Sequence, residues 1–255
     1  MGEIFRLQYV HSYPQVKIGW YVYDLVCYPA PIAALRNLNE YDEEEDSHAT
    51  FSWEDDSNLR RAVSLTCDLL KAWQAFRSRI PGLQEQLIPA IQQHLPDVIL
   101  TFQREVKDLG IRRIVDVHPS DSGYSSLLLN MAIAVNEIAK LKKVSNPMLG
   151  SKVMHFFFPE FFPVWDTEWI KKQCLVKEKL TTNRRVLQEL GKGAGSEYSA
   201  YVHLMVTDLA KTPDYAAIRQ ACLQRAWVQE EVAAWHYDDI APTVFEICLL
   251  GKHVG

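Results

Sequence analysis

A lysine and an aspartate, fourteen residues apart, are the residues of this chain whose types and spacing suggest chemistry. Lys152 closes the run Asn146-Pro147-Met148-Leu149-Gly150-Ser151-Lys152, and Asp166 closes Pro163-Val164-Trp165-Asp166. Pro147 fixes its own φ and Gly150 opens conformations closed to other residues, so the chain is expected to reverse sharply and begin a helix near Ser151. Free N–H groups at such a helix start favour an anion such as a phosphate. Lys152 then falls on the first helical turn. There the positive end of the helix dipole and apolar neighbours disfavour its charged form and leave a nucleophilic amine. Asp166 precedes Thr167-Glu168-Trp169-Ile170 and is well placed to open the next helix.

Between the two lies an aromatic run, Phe156-Phe157-Phe158-Pro159-Glu160-Phe161-Phe162. Turn, lysine, aromatic run and aspartate in this order resemble the helix-hairpin-helix DNA glycosylases. In that family a hairpin of Leu-Pro-Gly-Val-Gly type precedes a lysine, and an aspartate follows in a Pro-Val-Asp context ahead of another helix. Pro147, Leu149, Gly150 and Lys152 match the first half, and Pro163, Val164 and Asp166 the second. The resemblance implies that Asp166 stabilises the sugar cation and positions or activates the nucleophile. It implies that Lys152 attacks the sugar C1′ in members that also cut the strand. The chemistry is consistent with these types: the oxocarbenium-like state of N-glycosidic cleavage is stabilised by a nearby carboxylate, and a flipped base needs aromatic walls. His155, Phe156, Phe158, Phe162 and Trp165 are the candidate pocket residues. Pro147, Leu149, Gly150, Ser151, Lys171, Lys172, Arg184 and Arg185 are the candidate DNA contacts. Met148 at the first hairpin glycine position and Trp165 between the valine and the aspartate mark a divergent branch. An enzyme removing a modified base from phage DNA is the expected specialisation.

The same residues have plainer uses. A first-turn lysine is often a solvated surface group, and an aspartate before a helix often caps it, here through the backbone of Glu168 or Trp169. An aromatic run is more often core than pocket.

Periodicity supplies the elements that would position the pair. Leu59, Val63, Leu65, Leu69, Leu70, Trp73 and Phe76 recur at helical steps up to Pro81-Gly82. Helices are predicted at 83–94 and 97–109, at 124–141 as a buried central element, and at 167–175, 183–191, 197–211 and much of 214–250. Residues 111–117 could be a brief strand or a helical turn, and Val16 to Tyr28 mixes aromatic and β-branched types that suit either one or two short strands or an irregular packed arm. The expected fold is all-α with minor β at the N-terminus, a two-lobed helical domain with a helix-hairpin-helix element. Residues 1–57 form an N-terminal arm and acidic loop, and 58–255 the glycosylase-like domain, the two making one structural unit.

Charge is segregated. Nine acids and no Lys or Arg occupy Glu40 to Asp56, while Lys140 to Lys192 holds eleven basic residues against five acidic ones. A basic block around the lysine favours a nucleic-acid partner, although the whole chain carries −5. The five cysteines are scattered and never in a CxxC pair, so reduced, mostly buried thiols are expected. No apolar run reaches the ~18 residues of a membrane span, and the first residues lack the basic and apolar regions of a signal peptide. A cytoplasmic monomer is expected, with no cofactor, no metal and no membrane contact. Its expected partner is double-stranded DNA carrying a damaged or modified base. Asp116, His118 and Asp121 form a polar cluster without metal-ligand spacing, and Trp235-His236-Tyr237-Asp238-Asp239 could edge a pocket or close a helix. No nucleophile elbow, Walker or Rossmann glycine pattern is present, which removes acyl transfer and nucleotide hydrolysis. The alternatives to a glycosylase are a non-catalytic nucleic-acid-binding module and a protein–protein interaction component of a defence system.

Overall fold

The computed structural model describes residues 2–13, 16–18, 21–23, 56–72, 83–142, 147–224 and 241–254, and these form an all-α fold. A short helix α1 (Leu7–Ser12) is followed by two three-residue strands, β1 (Val16–Ile18) and β2 (Tyr21–Tyr23), paired antiparallel with Lys17 opposite Val22. The acidic stretch 40–55, the helix end at Pro81-Gly82 and Trp235 to Asp239 lie outside the described residues.

Helix α2 (Asp56–Ala72) buries Leu59, Val63 and Leu70, as its spacing predicts. Helix α3 (Leu83–Asp108) is continuous where a break between 94 and 97 is expected, and it contains Pro89 and Pro96. Each proline removes a backbone hydrogen bond. Leu87, Ile91, Leu95, Ile99, Phe102 and Val106 fall at steps of three and four on one buried face, and that packing carries the helix through both breaks. Residues Ile114–Asp116 form one 3₁₀ turn.

Helix α4 (Tyr124–Leu141) is the central element, with ten buried residues along its length. Two helices approach it at glycines. A Cβ on Gly150 of α5 (Met148–Phe157) would stand 2.3 Å from the Val135 carbonyl oxygen. One on Gly195 of α7 (Ala194–Leu209) would stand 2.7 Å from that of Ala132. Between α5 and α7 lie a π-helical segment, Thr167–Cys174, and α6 (Arg184–Leu190). Helices α8 (Tyr215–Leu223) and α9 (Ala241–His253) complete the fold, and α9 packs on α1 and on the π segment. None of the described helices is long and apolar enough to cross a membrane.

Candidate active site

Helix α5 opens at Met148, with Pro147 as its N-cap, and not near Ser151. Gly150 is therefore an interior helical residue. Its lack of a side chain serves the close crossing with α4, not the left-handed turn expected of it. Lys152 is the fifth helical residue and not in the first turn. Pro147, Leu149, Gly150 and Ser151 are buried, so the amide-lined phosphate grip expected at 147–151 is absent from this surface. The hydroxyl of Ser151 is used internally: it donates to the Met148 carbonyl at 3.1 Å and accepts from Trp165 N–H at 2.9 Å.

The aromatic run is core. Phe156, Phe158, Phe161 and Phe162 are buried, and Phe102 of α3 lies within 4.7–5.7 Å, centroid to centroid, of Phe158, Phe161 and Phe162. Phe162 also stacks on Tyr198 at 6.1 Å, and Trp165 meets Tyr201 edge-on at 5.6 Å. These faces are occupied by one another, so Phe156, Phe158, Phe162 and Trp165 do not wall an open base pocket. Each ring buries more apolar area there than in a half-open cleft.

That packing delivers a non-helical stretch of chain, 162–165, whose peptide groups pair with side chains from three helices. His155 of α5 holds the Phe162 carbonyl at 2.5 Å, which fixes its proton on Nδ1. Tyr198 and Tyr201 of α7 donate to the Pro163 and Val164 carbonyls at 2.7 and 3.4 Å. Glu246 of α9 accepts the Val164 N–H at 2.5 Å, and Ser151 takes that of Trp165. The stretch ends at Asp166, whose Oδ1 accepts from the N–H groups of Glu168 and Trp169, both at 2.9 Å. Asp166 is thus the helix N-cap of the plainer reading. Its carbonyl also accepts from Lys171 N–H at 2.9 Å, an i→i+5 bond that begins the π winding. Such windings recur at functional sites.

Three ionisable groups meet where the stretch passes α5 and α9. Lys152 is only 7% exposed. Burial pulls its pKa down, Asp166 and Glu246 pull it up, and Lys142 on α4 adds to the lowering. Glu246, 2% exposed, is pushed well above the usual carboxylate range by burial, an effect strengthened by Asp166 and opposed by its Val164 hydrogen bond and by Lys152. Asp166 is half-buried at the rim. His155 is held down to about 4 by burial. Lysine is almost never buried this deeply for packing alone, because its ammonium must shed its hydration.

The remaining candidates lie outside this cluster. Lys171 pairs with Glu197 at 2.8 Å and sits 5.7 Å over the Trp165 ring, and Lys172 pairs with Glu168 at 2.7 Å. Arg184 and Arg185 are exposed on α6, the latter donating to Ser126 Oγ at 2.8 Å. Asp116 is ion-paired with Arg113, while Asp121 and Ser120 bond within the turn around His118. Cys67, Cys174, Cys222 and Cys248 are buried and in no disulfide, and Cys27 lies outside the described residues. Glu246 is the site residue that sequence reasoning missed: it sits in an apolar helix 82 positions from Val164, and the signal was a lone acid among Val244, Phe245, Ile247 and Cys248. No family model matches the chain, and neither the curated proteins nor the solved structures contain a match to it.

Proposed function

We propose that this chain is a DNA glycosylase that cleaves the N-glycosidic bond of a damaged or modified base in double-stranded DNA, with phage DNA carrying modified bases as its natural target. The observation that carries the reading is the buried Lys152 amine on which the Asp166 charge acts, while the Ser151 hydroxyl beside it holds the N–H of Trp165, the residue before Asp166. Desolvation disfavours the ammonium and favours the nucleophilic amine, while the half-buried Asp166 carboxylate is the group that would face a developing sugar cation. In this reading the C1′–N bond breaks as the base departs with its electron pair and takes up a proton. Where the enzyme is also a lyase, the Lys152 amine forms the new bond to C1′ and loses a proton; where it is not, a water molecule adds to C1′ and loses a proton, and Lys152 orients the sugar.

With Pro147, Leu149, Gly150 and Ser151 buried, DNA would be held by exposed basic side chains. Lys172, Arg184 and Arg185 remain accessible for phosphate, since an exposed ion pair such as Lys172–Glu168 is worth under about 1 kcal/mol and yields readily to a phosphate.

The decisive experiment is abasic-site formation on a panel of duplexes containing uracil, oxidised and alkylated bases, together with phage genomes bearing modified cytosines. Wild type is expected to generate abasic sites on at least one of them, and Asp166→Asn to lose turnover by roughly 10²–10⁴-fold. Borohydride trapping that disappears in Lys152→Gln would identify the nucleophile. Unaltered DNA across the panel, combined with salt-sensitive binding, would replace the enzyme with a binding module.

A further inference from the structure

Glu246 reaches the site from a helix far away in sequence and has no counterpart in the lysine–aspartate pattern. We infer that Glu246 is a positioning residue of the Lys152–Asp166 pair. It holds the stretch that aims Asp166, and it supplies the second carboxyl that governs whether Lys152 keeps its proton. The inference rests on the reading of Lys152 and Asp166 as the reacting groups, but its test needs no DNA.

Among the described residues, His155, Ser151, Tyr198, Tyr201 and Glu246 hold the stretch 162–165 by their side chains, and of these Glu246 is the carboxyl. Its grip on Val164 N–H lies two residues before Asp166. An apolar side chain at 246 would leave a buried N–H unpaired and free the stretch to shift. The charge environment adds a second role. Glu246 and Ser151, the neighbour of Lys152, hold the N–H groups of the adjacent residues Val164 and Trp165, and the charges of Asp166, of Glu246 and of Lys142 at the C-cap of α4 act on Lys152. Glu246 faces Asp166 and Lys152, and the hydroxyls of Tyr198 and Tyr201 lie within its field. Groups coupled this closely release protons in steps that belong to the cluster, not to single residues. A carboxyl that can ionise beside Lys152 favours the ammonium; once neutral, it leaves the amine free. Gln at 246 keeps the carbonyl acceptor for Val164 and removes only the ionisation.

The test is a pH titration of full-length protein labelled with ¹³C at lysine Cε, with Lys152 assigned through Lys152→Met. In wild type the Lys152 resonance is expected to move in more than one step, with its main midpoint below those of the surface lysines. In Glu246→Gln that midpoint should fall by about one pH unit, a tenfold loss of proton affinity, while the protein melts as cooperatively as wild type. A midpoint unchanged in the Gln variant overturns the inference, since a purely structural role would not shift a titration in a folded protein. If that variant does not fold, the wild type decides: a single inflection at the position of the surface lysines overturns the inference. Glycosylase activity can be absent on every DNA while this coupling is present, and the reverse, so the two readings fail separately.

Discussion

Asp208 and Glu246 are both acids on buried helix faces, and both grip a neighbouring segment by its peptide N–H groups. Asp208 of α7 accepts from Glu3, Ile4 and Phe5 at 2.5, 2.8 and 2.9 Å, tying the chain start across the ends of α7 and α9. Among the described residues Glu246 accepts from Val164 alone, and the charges of Asp166 and Lys152 act on it. Three donors satisfy most of what a carboxylate loses on leaving water, so Asp208 is complete as an anchor. One donor does not, so the state of Glu246 depends on Lys152 and Asp166. The number of main-chain donors per buried acid separates the region that holds the fold from the region where protons can move.

Breaking the anchor should have the largest effect. Asp208→Ala leaves three N–H groups without their acceptor and is expected to cost about 4 kcal/mol. Thermal unfolding measures the loss, and protease cleavage within residues 2–6 reports the released start, while the Lys152 titration should stay in place. A shift of that titration would collapse the distinction between the regions.

Gly150→Ala attacks the site region through its scaffold. The added Cβ meets backbone at 2.3 Å, so α5 must move away from α4, at about 3 kcal/mol of overpacking strain. Denaturant unfolding measures this, and Lys152 should titrate closer to the surface lysines as the site opens.

Acid gives a smaller and more selective effect. Folded His155 protonates near pH 4 and the unfolded side chain near 6.5, so between these values the unfolded chain binds more protons and stability falls as pH falls. By pH 5 about 2 kcal/mol should be lost relative to pH 7. Glu246 acts with the opposite sign, because its folded pKa is raised and acidification favours the folded state. The His155 contribution is therefore the difference between the melting curves of wild type and His155→Gln, and curves that run parallel from pH 7 to 4.5 would refute it.

The smallest effect is expected at the rim. Lys171 and Glu197 are each nearly half exposed, so Lys171→Ala should change stability by about 0.5 kcal/mol or less. A loss of several kcal/mol would mean that its position over Trp165 supports the stretch 162–165 itself.

Much of the fold was legible in the residues. The apolar periods of α2 and α4 matched their elements and Asp166 announced its own helix cap, while the aromatic and β-branched start left strand and irregular arm equally open and pairs as strands at 16–18 and 21–23. The failures share one cause. Pro96 reads as a stop, yet α3 runs through it because its buried face outweighs one lost hydrogen bond. Gly150 reads as a turn because glycine permits one, yet it is helical because a neighbouring helix needs the space. The Phe run reads equally as core or pocket, and contact with Phe102 made it core.

Helix period, cap and charge segregation act between residues a few positions apart, so the linear order already contains them. The burial of Lys152, the side-chain hydrogen bonds along the stretch 162–165 and the presence of Glu246 beside them depend on which helices meet. Those meetings are fixed by packing across the whole chain, where Val164 and Glu246 become neighbours over 82 residues.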